Sequence, residues 1–435
     1  MGTDLKVLLL VAEPWRSDDS GGNTIDNFFR GMRGVEFAHV CCASKLPSND
    51  VCTKYFYIPE SELLKNFLTH KKVGHVVEYR YEEGKEEKQT ATVKSAGAKL
   101  KNWIKNIRPE SMIFLKKFLC RYANWKSPEL EAFLKEFNPD VIYAPCYASP
   151  FQLALTRHIK SITGKKIVTW SADDNYSLRQ FSLSLFFWIN RFWNRHCLRK
   201  TYPYYDEFFS ISEDEIKEMS PIVGRQMRVL RKGVYVPESF EPRAVHQPIK
   251  FIYAGGLYLN RHKSLIAIAD ALRKLNQDKV KAELHIYTGT KMEGKNASLL
   301  NDGRSSFVHG LVTPEVLKGL YQESDVAIHC ESFDLKYRLM TRLSFSTKVI
   351  DCFQSGCAIL CIAWEEHTAL KYLKKEDAAF CVTSVKEIDS TVRRILGNPD
   401  IILEYASKAY ECERRNHRIE DVQKTLYDSL LRCSQ

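Results

Sequence analysis

The residues best suited to chemistry lie in the stretch Thr341-Arg-Leu-Ser-Phe-Ser-Thr-Lys-Val-Ile-Asp-Cys-Phe-Gln-Ser-Gly356. Ser344, Ser346 and Thr347 gather where an apolar helical pattern begins, and Lys348 stands in its first turn. A helix opening presents unpaired N–H groups and a partial positive charge, so it is a natural cradle for a diphosphate, to which Lys348 adds a full charge. Asp351, one turn further on, is placed to accept hydrogen bonds from ribose hydroxyls. The same residues also suit a plain well-capped helix. A second group, Asp173-Asp174, follows the apolar run Ile167–Trp170. Two carboxylates there fit the orientation or deprotonation of a hydroxyl, or an Asx turn before a helix.

These groups need elements to hold them. Lys6–Ala12 is continuously apolar, as a buried parallel strand should be. A polar loop with Gly21-Gly22 follows, then a helix expected from Thr24 to about Met32. Further strands are expected at Phe37–Cys42, Tyr55–Ile58, Pro139–Tyr143, Ile167–Trp170 and Phe208–Ile211. Prolines and mixed charges break the pattern from Val234 to Pro248, and a fresh series begins. It comprises Phe251–Ala254 running into Gly255-Gly256, then Glu283–Tyr287, Phe307–Val308, Val326–Cys330, Ala358–Ile362 and Ala379–Val382, with helices between. Alternating strands and helices predict parallel sheets covered on both faces. The expected fold is α/β, two doubly wound Rossmann-like domains facing a central cleft. The first spans 1–235, a hinge 236–248 and the second 249–400, with helices at 401–435 packing back on the first. Such sheets bind ligands at the carboxyl ends of their strands.

A chain of 435 residues suits two cores of about 200 residues each. Its longest early apolar run is strand-sized, and no stretch approaches the roughly 18 apolar residues of a spanning helix. The expectation is a cytoplasmic protein, free or peripheral on the membrane's cytoplasmic face. The 13 cysteines form no CxxC pair, and Cys352, Cys357 and Cys361 read as buried thiols of a reducing compartment. Histidines at ligand spacing are missing, so no metal is expected. The net charge of +11 is uneven, because residues 94–126 carry nine Lys or Arg against one acid, Glu110. Leu100, Trp103, Ile104 and Ile107, then Met112, Leu115, Leu119 and Tyr122, give this stretch apolar helical faces. Basic amphipathic helices suit an anionic lipid surface; packing on their own domain is the alternative. Phe181–Trp193, with Arg191 in its last turn and Arg195, Arg199 and Lys200 after it, reads either as a membrane contact or as a core helix. No recognised motif supports nucleic-acid binding.

The stretch around Ser346-Thr347-Lys348 and Asp351 resembles the donor-binding motif of retaining GT-B glycosyltransferases of family 4, in their bacterial surface-polysaccharide branch. Gly21-Gly22-Asn23-Thr24 resembles the family's amino-terminal glycine loop. Gly255-Gly256-Leu-Tyr-Leu-Asn-Arg261-His-Lys263 is similar to its phosphate-binding loop, and Phe307-Val-His-Gly310 and Ser324-Asp325 match flanking positions. The family commonly has Glu-x7-Glu here; Asp351 falls on the second position and Leu343 on the first. Glu331, at the end of the preceding strand, is the candidate replacement facing the donor sugar, or else a loop cap.

The resemblance implies a nucleotide-sugar co-substrate, UDP- or GDP-linked, with no other cofactor and no metal. Its diphosphate would lie between Gly21, Gly22, Gly255, Gly256, Arg261, Lys263, Ser346, Thr347 and Lys348, with Asp351 on ribose. Asp173 or Asp174 would serve the acceptor, a saccharide on a polyprenyl-diphosphate carrier in capsule, exopolysaccharide or lipopolysaccharide assembly at the anionic inner leaflet. Arg261 and Lys263 would offset the charge that builds on the leaving phosphate. A GT-B nucleotide-sugar epimerase and a catalytically silent binding protein remain open alternatives.

Overall fold

Short runs of β-branched and aromatic residues bounded by polar turns form two sheets whose central strands are buried on both faces. The computed structural model describes residues 5–16, 20–43, 45–79 and 109–435. The first sheet contains β1 (Leu5–Val11), β2 (Val35–Cys41), β3 (Lys54–Tyr57), β4 (His75–Glu78), β5 (Val141–Tyr143), β6 (Ile167–Ser171), β7 (Glu207–Ser210) and β8 (Met227–Val229), in the order β4-β3-β2-β1-β5-β6-β7-β8. Every pairing is parallel except β3 with β4. The edge strands β4 and β8 carry weak apolar signals and were not expected from sequence. The second sheet contains β9 (Ile249–Ala254), β10 (Ala282–Tyr287), β11 (Ser306–His309), β12 (Val326–Cys330), β13 (Ala358–Ile362) and β14 (Phe380–Val382), ordered β11-β10-β9-β12-β13-β14 and parallel throughout. Each sheet reverses its winding once, between β1 and β5 and between β9 and β12, and such switch points open a ligand crevice.

Helices fill both faces of each sheet, and their ends follow local chemistry. Ser149 accepts the N–H of Gln152 ahead of Pro150, and Gly164 at φ 67° stops that helix. Leu8, Leu10, Phe56 and Ile142 point into one layer of the first sheet; Val7, Leu9, Phe37 and Tyr143 point into the other. The last helix, Ile419–Ser434, sends Val422, Leu426 and Leu430 into that second layer, so the chain's end packs on its beginning.

The chain passes between the two sheets twice at one place. Val234 N–H donates to His417 O at 2.7 Å and Ile419 N–H to Val234 O at 2.9 Å. A Cβ on Gly233 would stand 2.4 Å from the Ile419 Cα, so only glycine lets the two crossings touch. The halves also meet through side chains. Arg342 bonds Glu218 and Asp174, Ser212 Oγ donates to Leu343 O at 2.9 Å, and Lys371 reaches Asp214 at 2.6 Å. No disulfide joins any of the thirteen cysteines, and none is fully exposed. Among the described residues no helix is long and apolar enough to cross a membrane.

Candidate functional site

Strand β9 ends in Gly255-Gly256, and the loop after it is bent by Leu259 and Asn260, both left-handed at φ 60° and 58°. Non-glycine residues hold that conformation only where contacts enforce it. Here Asn260 Nδ2 donates to Asp334 Oδ2 at 2.6 Å, and Arg261 is locked just beyond. The Arg261 guanidinium donates from Nε and Nη2 to Glu331 Oε2 and Oε1 at 3.0 and 2.9 Å. Glu331 follows β12 directly, and its carbonyl accepts from Ser264 Oγ at 2.8 Å, which joins the two sides of the switch point. Burial alone would push the Glu331 carboxyl up; His329, Arg261 and His367 outweigh it, Arg261 carrying the permanent charge. Burial likewise opposes the Arg261 charge, and Glu331 more than offsets that. His329 and His367 are held down by burial to about 3 and about 4, so both are neutral beside the pair.

Lys348 comes to the same place from the other side. It lies in the first turn of helix Thr347–Gln354, where Ser346 Oγ accepts its N–H at 3.4 Å. Its ammonium donates to Tyr253 Oη at 3.2 Å, and among the described residues no carboxylate forms an ion pair with it. Burial, then the Arg261 charge, hold Lys348 below the ordinary lysine range. The Tyr258 ring lies 4.9 Å from the Arg261 guanidinium carbon and 6.0 Å from Lys348 Nζ, covering both cations. A Cβ on Gly255 would stand 2.3 Å from Lys348 Nζ, and one on Gly256 would stand 2.1 Å from the Tyr258 ring. The two glycines therefore make room for a lysine and an aromatic ring. Two cations, one without a carboxylate partner among the described residues, stand beside the opening of a helix, an arrangement chemically suited to an anion.

Several expected site residues sit differently. Lys263 does not join Arg261; its exposed ammonium is held by Asp334 at 2.8 Å on the rim. Leu343 is buried between the halves, where a carboxylate would be costly. Glu331 gives both oxygens to Arg261 rather than to an open face. Asp351 is solvent-accessible yet walled in by protein, as on a cleft side, and burial raises its carboxyl against Lys232 and Lys348. Lys232, which sequence did not single out, bonds Asn23 of the glycine stretch, and Asp351 and Asp26 act against the burial that lowers it. Gly21 and Gly22 fall inside helix Ser20–Phe29, which starts four residues before the expected Thr24. A Cβ on Gly22 would stand 2.3 Å from Arg16 O, so close backbone packing demands that glycine.

At the first sheet's switch point, Val11, Glu13, Gly21, Tyr147, Trp170 and Asp173 line a pocket of about 170 Å³. Tyr147 Oη donates to Glu13 there at 2.7 Å. Asp173 accepts from Ser344 Oγ at 2.8 Å, linking this pocket to the stretch that opens helix Thr347–Gln354. Asp174 is closed off: its carboxylate takes bonds from Ser177, Arg191, Gln180 and Arg342. Burial opposes its charge, but Ser177 and Arg191 hold it below the usual carboxylate range. Of the pair, Asp173 is the open one.

Glu215 lies behind Asp173, accepting from Ser171 Oγ at 2.5 Å and Ser210 Oγ at 2.6 Å, and burial pushes its carboxyl up to about 7. A carboxyl raised on folding binds a proton that the unfolded chain has lost. Its stabilising effect is therefore full below about pH 4.5 and disappears as pH rises through about 7. Glu215→Gln is expected to exceed the parent in stability by up to roughly 3 kcal/mol at about pH 8 and to match it near pH 4. Chemical denaturation at both pH values checks this; equal pH dependence of the two proteins would refute it.

The expected Leu100, Trp103, Ile104 and Ile107 lie outside the described residues. No group of three metal-ligating side chains occurs among the described residues.

No protein-family model matches the chain, and no curated protein matches it by sequence. Solved structures do match it in fold. Sucrose-phosphate synthase from Thermosynechococcus elongatus aligns at 11% identity and TM-score 0.62, over 98% of this chain and 99% of that one. Anabaena Alr3699/HepE in complex with UDP and glucose aligns at 11% identity and TM-score 0.58, over 98% and 99%. A trehalose-6-phosphate structure from E. coli bound with UDP-2-fluoro glucose aligns at 9% identity and TM-score 0.59, over 98% of each chain. At these identities the likeness is one of fold: two parallel-sheet Rossmann-like domains, the GT-B arrangement.

Proposed function

We propose that this chain, on its GT-B fold, is a glycosyltransferase that moves a sugar from a nucleoside-diphosphate sugar to a saccharide acceptor. The observation that carries the reading is the meeting of Arg261 and Lys348 beside the opening of helix Thr347–Gln354, at a switch point. Breaking the bond between sugar and diphosphate builds negative charge on the leaving phosphate. Fixed cations and helix N–H groups aimed there favour the transition state over the ground state. They supply the neutralisation that the reaction requires, so the transfer is proposed to be metal-independent. That two structures of this fold hold UDP or a UDP-sugar supports the choice of donor.

In this reading Gly255 and Gly256 admit Lys348 and Tyr258, Ser346 and Thr347 offer the helix opening, and Asp351 takes ribose. Glu331 acts through Arg261 by holding its guanidinium, and Lys263 steadies the loop through Asp334. Gly21 and Gly22 let the first sheet's helix approach the cleft. The acceptor occupies the pocket at β1 and β5, with Asp173 toward its hydroxyl. Retention of configuration, family 4 membership, a polyprenyl-diphosphate-linked acceptor and a role in surface polysaccharide assembly at the cytoplasmic face rest on the motif resemblance and belong to the same proposal.

Incubation with UDP-, GDP-, CDP- and dTDP-sugars, with and without saccharide acceptors, tests it. Acceptor-dependent release of nucleoside diphosphate is expected. An epimerised sugar formed without acceptor, or donor binding with no turnover under any pairing, would overturn sugar transfer.

A further inference from the structure

Away from the cleft, helix Glu110–Tyr122 packs on helix Leu185–Thr201, and their shared outer face is apolar. Rings touch along it in sequence. Phe186 meets Phe114 at 6.3 Å, Phe114 meets Trp193 at 5.5 Å, Trp193 meets Phe118 at 6.4 Å, and Phe118 meets Tyr122 at 4.7 Å. Around this strip Leu183 is 94% exposed, Leu185 71%, Phe192 56% and Leu115 54%. Such a concentration of exposed large apolar side chains marks a surface that something else covers.

The strip ends on a cationic pocket. The Arg121 guanidinium carbon lies 5.4 Å from the Tyr122 ring, and Arg121 lines a pocket of about 280 Å³ with Trp125, Lys126, Arg157, His158 and Tyr204. No acid lines it. Among the described residues no carboxylate forms an ion pair with Arg121, Lys126 or Arg157. Arg157 donates only to neutral oxygens, those of Thr201 and Cys197. The buried His158 Nε2 has no protein partner. Burial holds both Arg157 and His158 below their ordinary ranges; Cys197, Tyr204 and Tyr205 oppose it and Arg121 adds to it at Arg157, while Lys126 adds to it and Glu131 opposes it at His158. A cluster of cations without a carboxylate partner among the described residues is built for an anion, and Arg with Lys at a Trp edge suits phosphate oxygens.

We propose that this pocket binds the phosphate of an anionic lipid headgroup while the neighbouring aromatic strip enters the acyl boundary, so that the protein docks on an anionic leaflet through a headgroup site. The charge chooses the occupant. A protein partner for an apolar strip has no need of an acid-free pocket at its end, whereas an anionic bilayer presents apolar interior and phosphate side by side. The proposal is independent of sugar transfer, since none of these residues belongs to the cleft.

Co-sedimentation of the full chain with vesicles tests it. Binding is expected to equimolar phosphatidylcholine and phosphatidylglycerol and not to phosphatidylcholine alone. Arg121→Gln with Lys126→Gln, at a half-buried and an exposed position, should weaken binding about 25-fold, near five-fold for each cation lost at the surface. Leu185→Ser with Phe192→Ser should weaken it separately, and unchanged thermal unfolding of both variants shows that the fold is kept. Failure of the parent to bind anionic vesicles, or pelleting of the Arg121/Lys126 variant like the parent, would overturn the proposal. So would stabilisation of the parent but not that variant by inorganic phosphate in the absence of vesicle binding, because the pocket would then take a soluble phosphate.

Discussion

Arg261→Ala is expected to destabilise the fold by roughly 3–5 kcal/mol and to abolish turnover. The two effects have different origins. Arg261 and Glu331 are both buried and share two hydrogen bonds of 3.0 and 2.9 Å, so removal of the guanidinium leaves a carboxylate uncompensated among neutral histidines. Breaking a buried pair costs more than replacing it, because the survivor keeps its desolvation penalty. The double variant Arg261→Met/Glu331→Gln is therefore expected to regain at least half of the lost stability and none of the activity. Chemical denaturation and nucleoside-diphosphate release measure the two separately. Parent-like stability in Arg261→Ala would contradict the buried pair; recovered turnover in the double variant would remove Arg261 from the reaction.

Lys348→Met should show the opposite balance, with stability kept or raised by about 1 kcal/mol and turnover lowered at least about a hundredfold, near 3 kcal/mol in the barrier. Lys348 sits against Arg261 with a tyrosine hydroxyl as its hydrogen-bond partner, so folding gains little from its charge. An ammonium kept where it costs stability is the usual mark of a group retained for function. Lys263→Ala supplies the contrast. Its ion pair with Asp334 is exposed, and such pairs contribute at most about 1 kcal/mol. Denaturation curves and steady-state rates for both variants check the ranking, and a greater loss of rate in Lys263→Ala would reverse the assignment.

That ranking shows where the sequence was legible. Strand periodicity revealed both parallel series because doubly buried strands leave unbroken apolar runs such as Leu8–Leu10 and Ile359–Ile362. It located the glycine turn after β9 and the helix opening at Ser346 because both depend on residues adjacent in the chain. It did not separate Arg261 from Lys263. Their spacing is similar, and only the left-handed turn at Leu259 and Asn260 sends the first inward to Glu331 and the second outward to Asp334. Nor did it separate Asp173 from Asp174, since Arg191 and Arg342, which close off Asp174, come from distant elements. Lys232 and Glu215 carry no local signal, and the basic stretch 94–126 marks Arg121 and Lys126 but not the pocket they line with Arg157 and His158. Each owes its character to burial or to neighbours that only tertiary packing supplies.

The glycine expectations also changed in meaning. The resemblance places Gly255 and Gly256 along the diphosphate, and their missing Cβ atoms clear space for Lys348 and Tyr258. Tyr258, 60% exposed, covers both cations, so a ligand that pairs with them has to displace or restack its ring.

Calorimetric titration with nucleoside diphosphates and their monophosphates measures the central claim most directly. At least one of UDP, GDP, CDP and dTDP should bind the parent at least about tenfold more tightly than its monophosphate, and Lys348→Met should erase that difference. Equal affinity for diphosphate and monophosphate across all four bases, or an unchanged preference in Lys348→Met, would show that no pyrophosphate sits between Arg261 and Lys348.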